Sequence, residues 1–307
     1  MSAMTNATPG KRVGADALAE KGWFATWKWL ILRRCSQVGI LALFLLGPLY
    51  GVWIVKGNLA YSYTLGVLPL TDPYVALQSL LTGHVPEKLG LLGAAIVLLF
   101  YFLVGGRVYC AWVCPVNVVT DTAGWLRRRL GIKGSAHLSR ETRYWVLAMT
   151  LVGSAVTGVV LWELINPVSM LHRGLIFGMG LAWAIVLAIF LFDLFVMSRG
   201  WCGRLCPVGA FYGLIGRWSP VRVSAPARSA CNDCMDCFEV CPEPQVIRPA
   251  LKGAATGTGP VILSSACTNC GRCIDVCSKD VFRFGMRFNN ALPASEVAAT
   301  PAASSKS

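Results

Sequence analysis

Cys231-Asn232-Asp233-Cys234-Met235-Asp236-Cys237-Phe238-Glu239-Val240-Cys241-Pro242 and Cys267-Thr268-Asn269-Cys270-Gly271-Arg272-Cys273-Ile274-Asp275-Val276-Cys277-Ser278 repeat one spacing, three cysteines two residues apart and a fourth three residues on. That spacing suits a [4Fe-4S] cubane, which needs four soft thiolates, three on a tight loop and one from a separate turn. In paired runs of this kind the fourth cysteine of each ligates the other cluster. Cys231, Cys234, Cys237 and Cys277 are therefore expected to hold one cluster, and Cys267, Cys270, Cys273 and Cys241 the second. Zinc is the alternative for any pair of cysteines two residues apart, but zinc sites use two separated pairs rather than a third cysteine in the same run. Ser278 stands where the first run has Pro242, a position that shapes the turn and carries no ligand.

The rest of the chain has a different character. Of 307 residues, 55% are hydrophobic and 14% charged, and the mean hydropathy is +0.57. A soluble globule is excluded on that composition, and an integral membrane protein is expected. Four stretches lack charge over about the 17 to 25 residues that cross a bilayer: Ser36 to Val55, Leu89 to Gly106, Tyr144 to Trp162, and Gly174 to Phe192. The first follows a basic segment without a small-residue cleavage pattern, which marks a retained anchor rather than a removable signal. Pro48 inside it predicts a kink.

Lys and Arg gather in short loops on the cytoplasmic side of a membrane. Lys11, Arg12, Lys21, Lys28, Arg33 and Arg34 precede the first span, seven basic residues from Arg107 to Arg143, among them Lys133, lie between the second and third, and Arg199, Arg204, Arg217, Arg222 and Arg228 follow the fourth. Both termini and the domain of the two cysteine runs are thus expected in the cytoplasm. The net charge of +13 is this topology signal together with attraction to anionic lipid, not a sign of nucleic-acid binding. Trp23, Phe24, Trp27 and Leu30, with Lys21 and Lys28, suit a helix lying in the interface ahead of the first span.

An internal repeat organises the membrane part. Arg107-Val108-Tyr109-Cys110-Ala111-Trp112-Val113-Cys114-Pro115-Val116 returns as Arg199-Gly200-Trp201-Cys202-Gly203-Arg204-Leu205-Cys206-Pro207-Val208, and Leu70-Thr71-Asp72-Pro73 is echoed by Leu164-Ile165-Asn166-Pro167. Two copies of a hairpin imply a pseudo-two-fold relation. Helical spacing of four would put Cys110 and Cys114 on one face, and likewise Cys202 and Cys206, so that four thiols meet where the repeat axis passes. Three readings stay open for them: a third metal centre, a redox-active dithiol pair, or plain packing. Cys35, without a partner, reads as an ordinary thiol.

The expected architecture is a membrane all-α domain, four transmembrane helices as two repeated hairpins, joined to a small α+β domain. Residues 1–35 form an N-terminal segment, 36–200 the membrane domain, 201–290 the two-cluster domain and 291–307 a flexible tail.

With these residues in view, the chain resembles the NapH-type membrane ferredoxins of periplasmic nitrate reductase systems. The resemblance covers about Lys28 to Phe288 and rests on four spans, two CxxxCP motifs and a paired run of the kind found in bacterial two-cluster ferredoxins. Methylamine-utilisation ferredoxins, nitrous-oxide-reductase regulators and membrane ferredoxins of copper-oxidase assembly share the motifs, the last two groups with extra extramembrane domains that 1–35 and the Ala, Ser and Pro tail after Asn290 give no reason to expect. It implies two [4Fe-4S] clusters, quinol as substrate, and electrons passed through a periplasmic partner ferredoxin toward a nitrate reductase. Cys110, Cys114, Cys202 and Cys206 would then be the residues of the reaction site.

Quinol oxidation releases protons, and Asp72, Glu163 and His172, expected near the periplasmic ends of the spans, and Asp193, near the cytoplasmic end of the fourth, are the candidate acceptors. An ionisable group beside hydrocarbon is costly, but Asp72 and Asn166 each precede a proline, the pattern of a helix cap with Pro at its first position. Haem-attachment, dinucleotide and P-loop motifs are lacking, so hydride chemistry would belong to a partner. Two other classes of function remain open: a maturation factor that reduces a client metal or disulfide through the CxxxCP thiols, and a membrane redox sensor.

Overall fold

The computed structural model describes residues 12–132, 134–178 and 180–290. Lys11, Lys133 and the 291–307 tail lie outside them. The chain divides into two compact units, one of residues up to Leu32 together with those from Arg217 onward, the other Arg33–Gly216.

Helix α1 (Ala15–Tyr50) enters both units and is the one helix, among the described residues, long and apolar enough to cross a membrane. Its break falls at Gly22 (φ 80°, ψ 171°), not at Pro48, which sits in the last turn. The helix stops where Gly51, at φ 74°, donates to Gly47 O and Val52 to Leu46 O, a left-handed glycine stop.

The expectation of an all-α membrane domain fails directly after this helix. Strands β1 (Val55–Gly57), β2 (Tyr61–Thr64) and β3 (Leu68–Thr71) form an antiparallel meander. Asn58 shapes the first turn by accepting from the N–H groups of Ala60 and Tyr61, and Leu65 and Gly66, both at positive φ, make the second. The first expected span therefore ends as helix at Tyr50 and finishes as strand.

The repeat is visible as two series of helices. In the first, α2 (Pro73–Leu81), α3 (Lys88–Val104), α4 (Val108–Trp112) and α5 (Val116–Arg129) follow one another. After α6 (Thr142–Thr157) and α7 (Leu161–Ile165), the second comprises α8 (Pro167–Phe177), α9 (Ala182–Leu191), a wide turn at Trp201–Leu205, and α10 (Pro207–Ile215). Asp72 and Asn166 do cap α2 and α8, their side chains accepting from Tyr74 N and Val168 N, with Pro at the first helical turn.

Two of the expected spans are broken by glycine. Gly158, at φ 68°, ends α6 before the third stretch is complete, and Gly178, at φ 99°, separates α8 from α9 inside the fourth. Lys88–Val104 and Ala182–Val196 are apolar but short. Helix α2 runs alongside α6 in the same sense, Tyr74 Oη lying 2.6 Å from Thr150 Oγ1 and Ser154 Oγ donating to Gln78 Oε1 at 3.3 Å, and α3 then leads back to the first CxxxCP motif. Each half thus pairs a short capped helix with a returning one, in place of one unbroken span.

In the other unit, β4 (Val221–Ser224) pairs with β5 (Arg283–Met286) in antiparallel register. Short helices α11 (Asp236–Val240), α12 (Ile247–Lys252) and α13 (Arg272–Val276) complete it. Val223, Val240, Ile247, Val276, Val281 and Phe282 form its core together with Cys237 and Cys273, so the two cysteine runs are built into the packing. The N-terminal stretch belongs to this unit. Gly14 N donates to Asp236 Oδ2 (2.8 Å), Trp29 N and Leu30 N to Asp275 (3.0 and 3.1 Å), and Arg272 lies over the Trp27 ring. Trp23 and Phe24 stay exposed.

Candidate functional site

The cysteine loops owe their shape to matched backbone. Asp233 and Asn269, then Met235 and Gly271, hold equivalent places in the two runs, and all four have φ between 47° and 73°. Asx residues and glycine tolerate that region, and a methionine there is strained. Each loop curls so that the Cys231 thiol meets Asp233 Oδ1 and the Cys267 thiol meets Asn269 Oδ1, both at 3.5 Å. Met235 and Gly271 then start α11 and α13.

Cys231, Cys234, Cys237 and Cys277 line one pocket, ≈ 350 Å³ counting its open mouth. Burial pushes the Cys237 thiol up to about 12, with Cys234, Cys277 and Cys231 adding to the rise. The Cys273 thiol is pushed well up, first by burial and then by Cys270, Cys241 and Cys267. One pocket thus gathers the first three cysteines of one run with the fourth of the other, while Cys273 feels Cys241 and Cys237 of the first run besides Cys270 and Cys267 of its own. Thiols with raised pKa ionise when a metal supplies positive charge. Among the described residues no three His, Cys, Asp or Glu side chains are gathered as around a single ion, whereas a cubane spreads its thiolates over four irons. The donor set fits the cluster.

The second group of thiols lies within the Arg33–Gly216 unit. The expected helical spacing gives way here. Cys114 N donates to Tyr109 O (3.0 Å) and Cys206 N to Trp201 O (2.9 Å), each five residues back. Proline is the cause, because it drives the residue before it out of helical conformation, and Cys206 is extended at φ −68°, ψ 113°. Both motifs end in the same widened turn, and all four thiols line one cavity with Asp72 and Asn166, ≈ 490 Å³ counting its mouth. Asp72, expected near the membrane face opposite the motifs, shares their cavity because α3 returns to it.

Residues that the sequence did not mark as part of the site hold this arrangement. Arg33 Nε and Gln37 Nε2 donate to Ala111 O (3.0 and 3.1 Å), Gln37 also to Cys114 O (3.1 Å), and Ser36 Oγ to Trp112 O (2.9 Å). They satisfy carbonyls left over by the widened turn. Asp121 ties the clamp down, accepting from Arg33 at 2.9 Å and Arg34 at 2.6 Å. Burial alone would raise its carboxyl, but Arg33, Arg199 and Arg34 together hold it below the usual range. Across the repeat, Arg107 Nη2 donates to Cys202 O at 3.1 Å. Tyr212 Oη donates to Asp72 Oδ1 (3.1 Å), and its ring stacks on Tyr109 with centroids 4.9 Å apart.

Of the other candidate acceptors, His172 is buried edge-on to Phe44, Asp193 accepts from Trp201 N at 3.0 Å, and Glu163 lies beside Asn166 and Arg173. None of these three lines the thiol cavity. Cys35 is exposed on α1.

Residues 88–133 and 179–226, each containing one CxxxCP motif, match the family described as 4Fe-4S binding domain, and residues 230–281 match the 4Fe-4S dicluster domain. The chain is 56% identical to the methylamine utilization ferredoxin-type protein MauN of Methylorubrum extorquens, over 91% of this chain and 96% of that protein. It is 57% identical to MauN of Paracoccus denitrificans, over 81% and 87%. The ferredoxin-type protein NapH of Haemophilus influenzae is 49% identical over 92% and 98%. No solved structure matches the chain.

Proposed function

The chain belongs to the family of ferredoxin-type iron-sulfur electron-transfer proteins that includes MauN and NapH, and from that premise we propose that it is the quinol-oxidising membrane subunit of an electron-transfer chain. Electrons would pass from the quinol pool through a partner ferredoxin toward a periplasmic nitrate reductase. The observation that carries this reading is a cavity lined by four thiols and a buried carboxylate in a chain whose two cysteine runs match the 4Fe-4S dicluster domain.

Cys231, Cys234, Cys237 and Cys277 hold one [4Fe-4S] cluster and Cys267, Cys270, Cys273 and Cys241 the other. When bound, such clusters supply one-electron chemistry, which suits a two-electron donor drained in single steps. Cys110, Cys114, Cys202 and Cys206 form a third redox centre, a reading supported by the match of both stretches to a cluster-binding family. Asp72 accepts a hydrogen bond or proton at the cavity, and the Arg33, Ser36 and Gln37 clamp fixes the backbone that carries two of the thiols. A multi-pass chain with both termini in the cytoplasm is supported by the apolar α1, α3 and α9 and by the placing of Lys and Arg.

A methylamine-utilisation system is the second reading of the destination. The higher identity to MauN, 56% against 49% for NapH at similar coverage, favours it.

The test is anaerobic. Protein in mild detergent is mixed with a reduced short-chain quinol, and cluster reduction is followed by EPR. Signals that grow as quinol is consumed support the reading. Intact clusters that stay silent with quinol but accept electrons from a soluble reductant overturn it.

A further inference from the structure

The thiol cavity has a polar edge that the cysteines do not explain. Asp72 receives two hydrogen bonds, from Tyr74 N (3.0 Å) and Tyr212 Oη (3.1 Å), and both end on Oδ1. Among the described residues nothing donates to Oδ2. The cap of α2 is therefore complete with one oxygen, and the second is left beside the cavity that Asp72 lines. Asn166, in the matching place of the other half, is spent: its oxygen accepts from Val168 N, and its nitrogen donates to Glu163 and Ser169.

A second observation is independent of the cap. Trp162 lines the same cavity and is 2% exposed, yet its Nε1 has no hydrogen-bond partner among the described residues. A buried indole N–H without an acceptor costs about 1–3 kcal/mol, and an acceptor brought to it by a ligand in the cavity that Trp162 lines would remove that cost. The residues that line the cavity so include one unspent acceptor and one unspent donor, with Tyr109, Trp201, Val168 and Val208 among its aromatic and apolar walls. Flat apolar walls with few convergent polar groups are the usual make-up of a small-molecule site. A ring bearing a hydroxyl donor at one end and an oxygen acceptor at the other is the complementary shape, and hydroquinones have it.

We propose that this edge binds the ring of a hydroquinone, one hydroxyl donating to Asp72 Oδ2 and the opposite oxygen accepting from Trp162 Nε1. The assignment rests on the quinol-oxidising reading above and adds where the ring sits. It also predicts a preference by redox state, because a quinone has no hydroxyl to give Asp72 but still accepts from Trp162.

The repeat supplies the substitution for the test. Asp72→Asn copies the cap that Asn166 already provides for α8, so the helix keeps its start, while the charge on the spare oxygen is lost. Decyl-ubiquinol and decyl-ubiquinone are titrated anaerobically by calorimetry into the full-length protein in detergent. Asp72→Asn is expected to weaken quinol binding about tenfold or more, as for loss of a hydrogen bond to a charged acceptor, and to leave quinone binding within about threefold. Trp162→Phe, which keeps the ring and removes the donor, weakens both forms about three- to tenfold, and so still decides the matter should Asp72→Asn fail to fold. Trp145→Phe, exposed on α6 and outside the cavity, changes neither. Wild-type protein that binds and is reduced by quinol, with affinities unmoved by Asp72→Asn and Trp162→Phe, overturns this site alone. Wild-type protein that neither binds quinol nor is reduced by it overturns the site and the function together.

Discussion

Asp275→Ala separates the worth of a buried carboxylate from that of an exposed ion pair within one unit. Asp275 is fully buried and accepts from Trp29 N at 3.0 Å, Leu30 N at 3.1 Å and Arg272 Nη1 at 2.7 Å. Burial raises its carboxyl even against these donors. Its contribution is therefore less Coulomb attraction than the avoided penalty of leaving the Trp29 and Leu30 N–H groups without this acceptor, about 1–3 kcal/mol each, while Arg272 Nη1 keeps Thr26 O at 3.5 Å. Local relaxation and water entry reduce the sum, leaving an expected loss of about 3–4 kcal/mol. For a domain of this size that lowers Tm by roughly 12–25 °C. Lys279→Ala removes an exposed pair with Glu20, both side chains more than 40% accessible, and is expected to leave the melting midpoint unchanged, because solvent screens such a pair. Melting is followed by the loss of cluster absorbance in anaerobic protein. An Asp275→Ala protein within about 1 kcal/mol of wild type, or one no worse than Lys279→Ala, refutes the reasoning.

Gly271→Ala should be far worse than its partner position suggests: a Cβ there would lie 2.6 Å from Trp29 Cγ at φ +73°, whereas Met235→Gly relieves a strained φ of 63° and is expected neutral or stabilising by up to about 1 kcal/mol in the same melt. Gly106→Ala drives a Cβ into the Tyr212 carbonyl oxygen and should prevent α3 from meeting α10, read as loss of folded protein in detergent by size exclusion. Asp121→Asn leaves Arg33 buried with a weakened partner and is expected to cost about 2–4 kcal/mol at neutral pH. Because the Asp121 carboxyl is held below its ordinary value, its contribution is present above the unfolded pKa of about 3.9 and lost as pH falls through the folded one. Wild type should approach Asp121→Asn in stability below about pH 4, and denaturant midpoints across pH check this.

The two cysteine runs were legible because ligand spacing is written along the chain, and so were the caps at Asp72 and Asn166, which need only an Asx residue and the proline after it. The helical reading of Cys110 to Cys114 and Cys202 to Cys206 failed on the proline that followed each motif, a local signal outweighed by the attraction of a four-residue period. Gly158 and Gly178 broke two apolar stretches that hydropathy alone could not divide. The basic residues have a second use that a charge tally does not show. Arg33, Arg107, Arg127, Arg222 and Arg228 count in any charge tally as loop cations, yet all five are buried. They donate to backbone carbonyls such as Ala111 O, Cys202 O, Leu194 O, Ser219 O and Ala250 O. An arginine that staples loops through its planar fork has the same letter as one that faces lipid headgroups. Trp162 and Gln37 carried no motif at all, since their roles depend on which distant carbonyl or cavity the fold brings to them.

The crossed cluster quartets are the centre of the account, and iron counting with single ligand variants tests them most directly. Anaerobic wild-type protein should hold at least about eight iron and eight labile sulfide per chain. Cys277→Ser and Cys241→Ser should each lose about four, Cys277→Ser sparing the cluster of Cys267, Cys270 and Cys273, and Cys241→Ser sparing that of Cys231, Cys234 and Cys237. Zinc in place of iron, or a Cys277→Ser protein that loses the cluster of its own run and keeps the other, would contradict it.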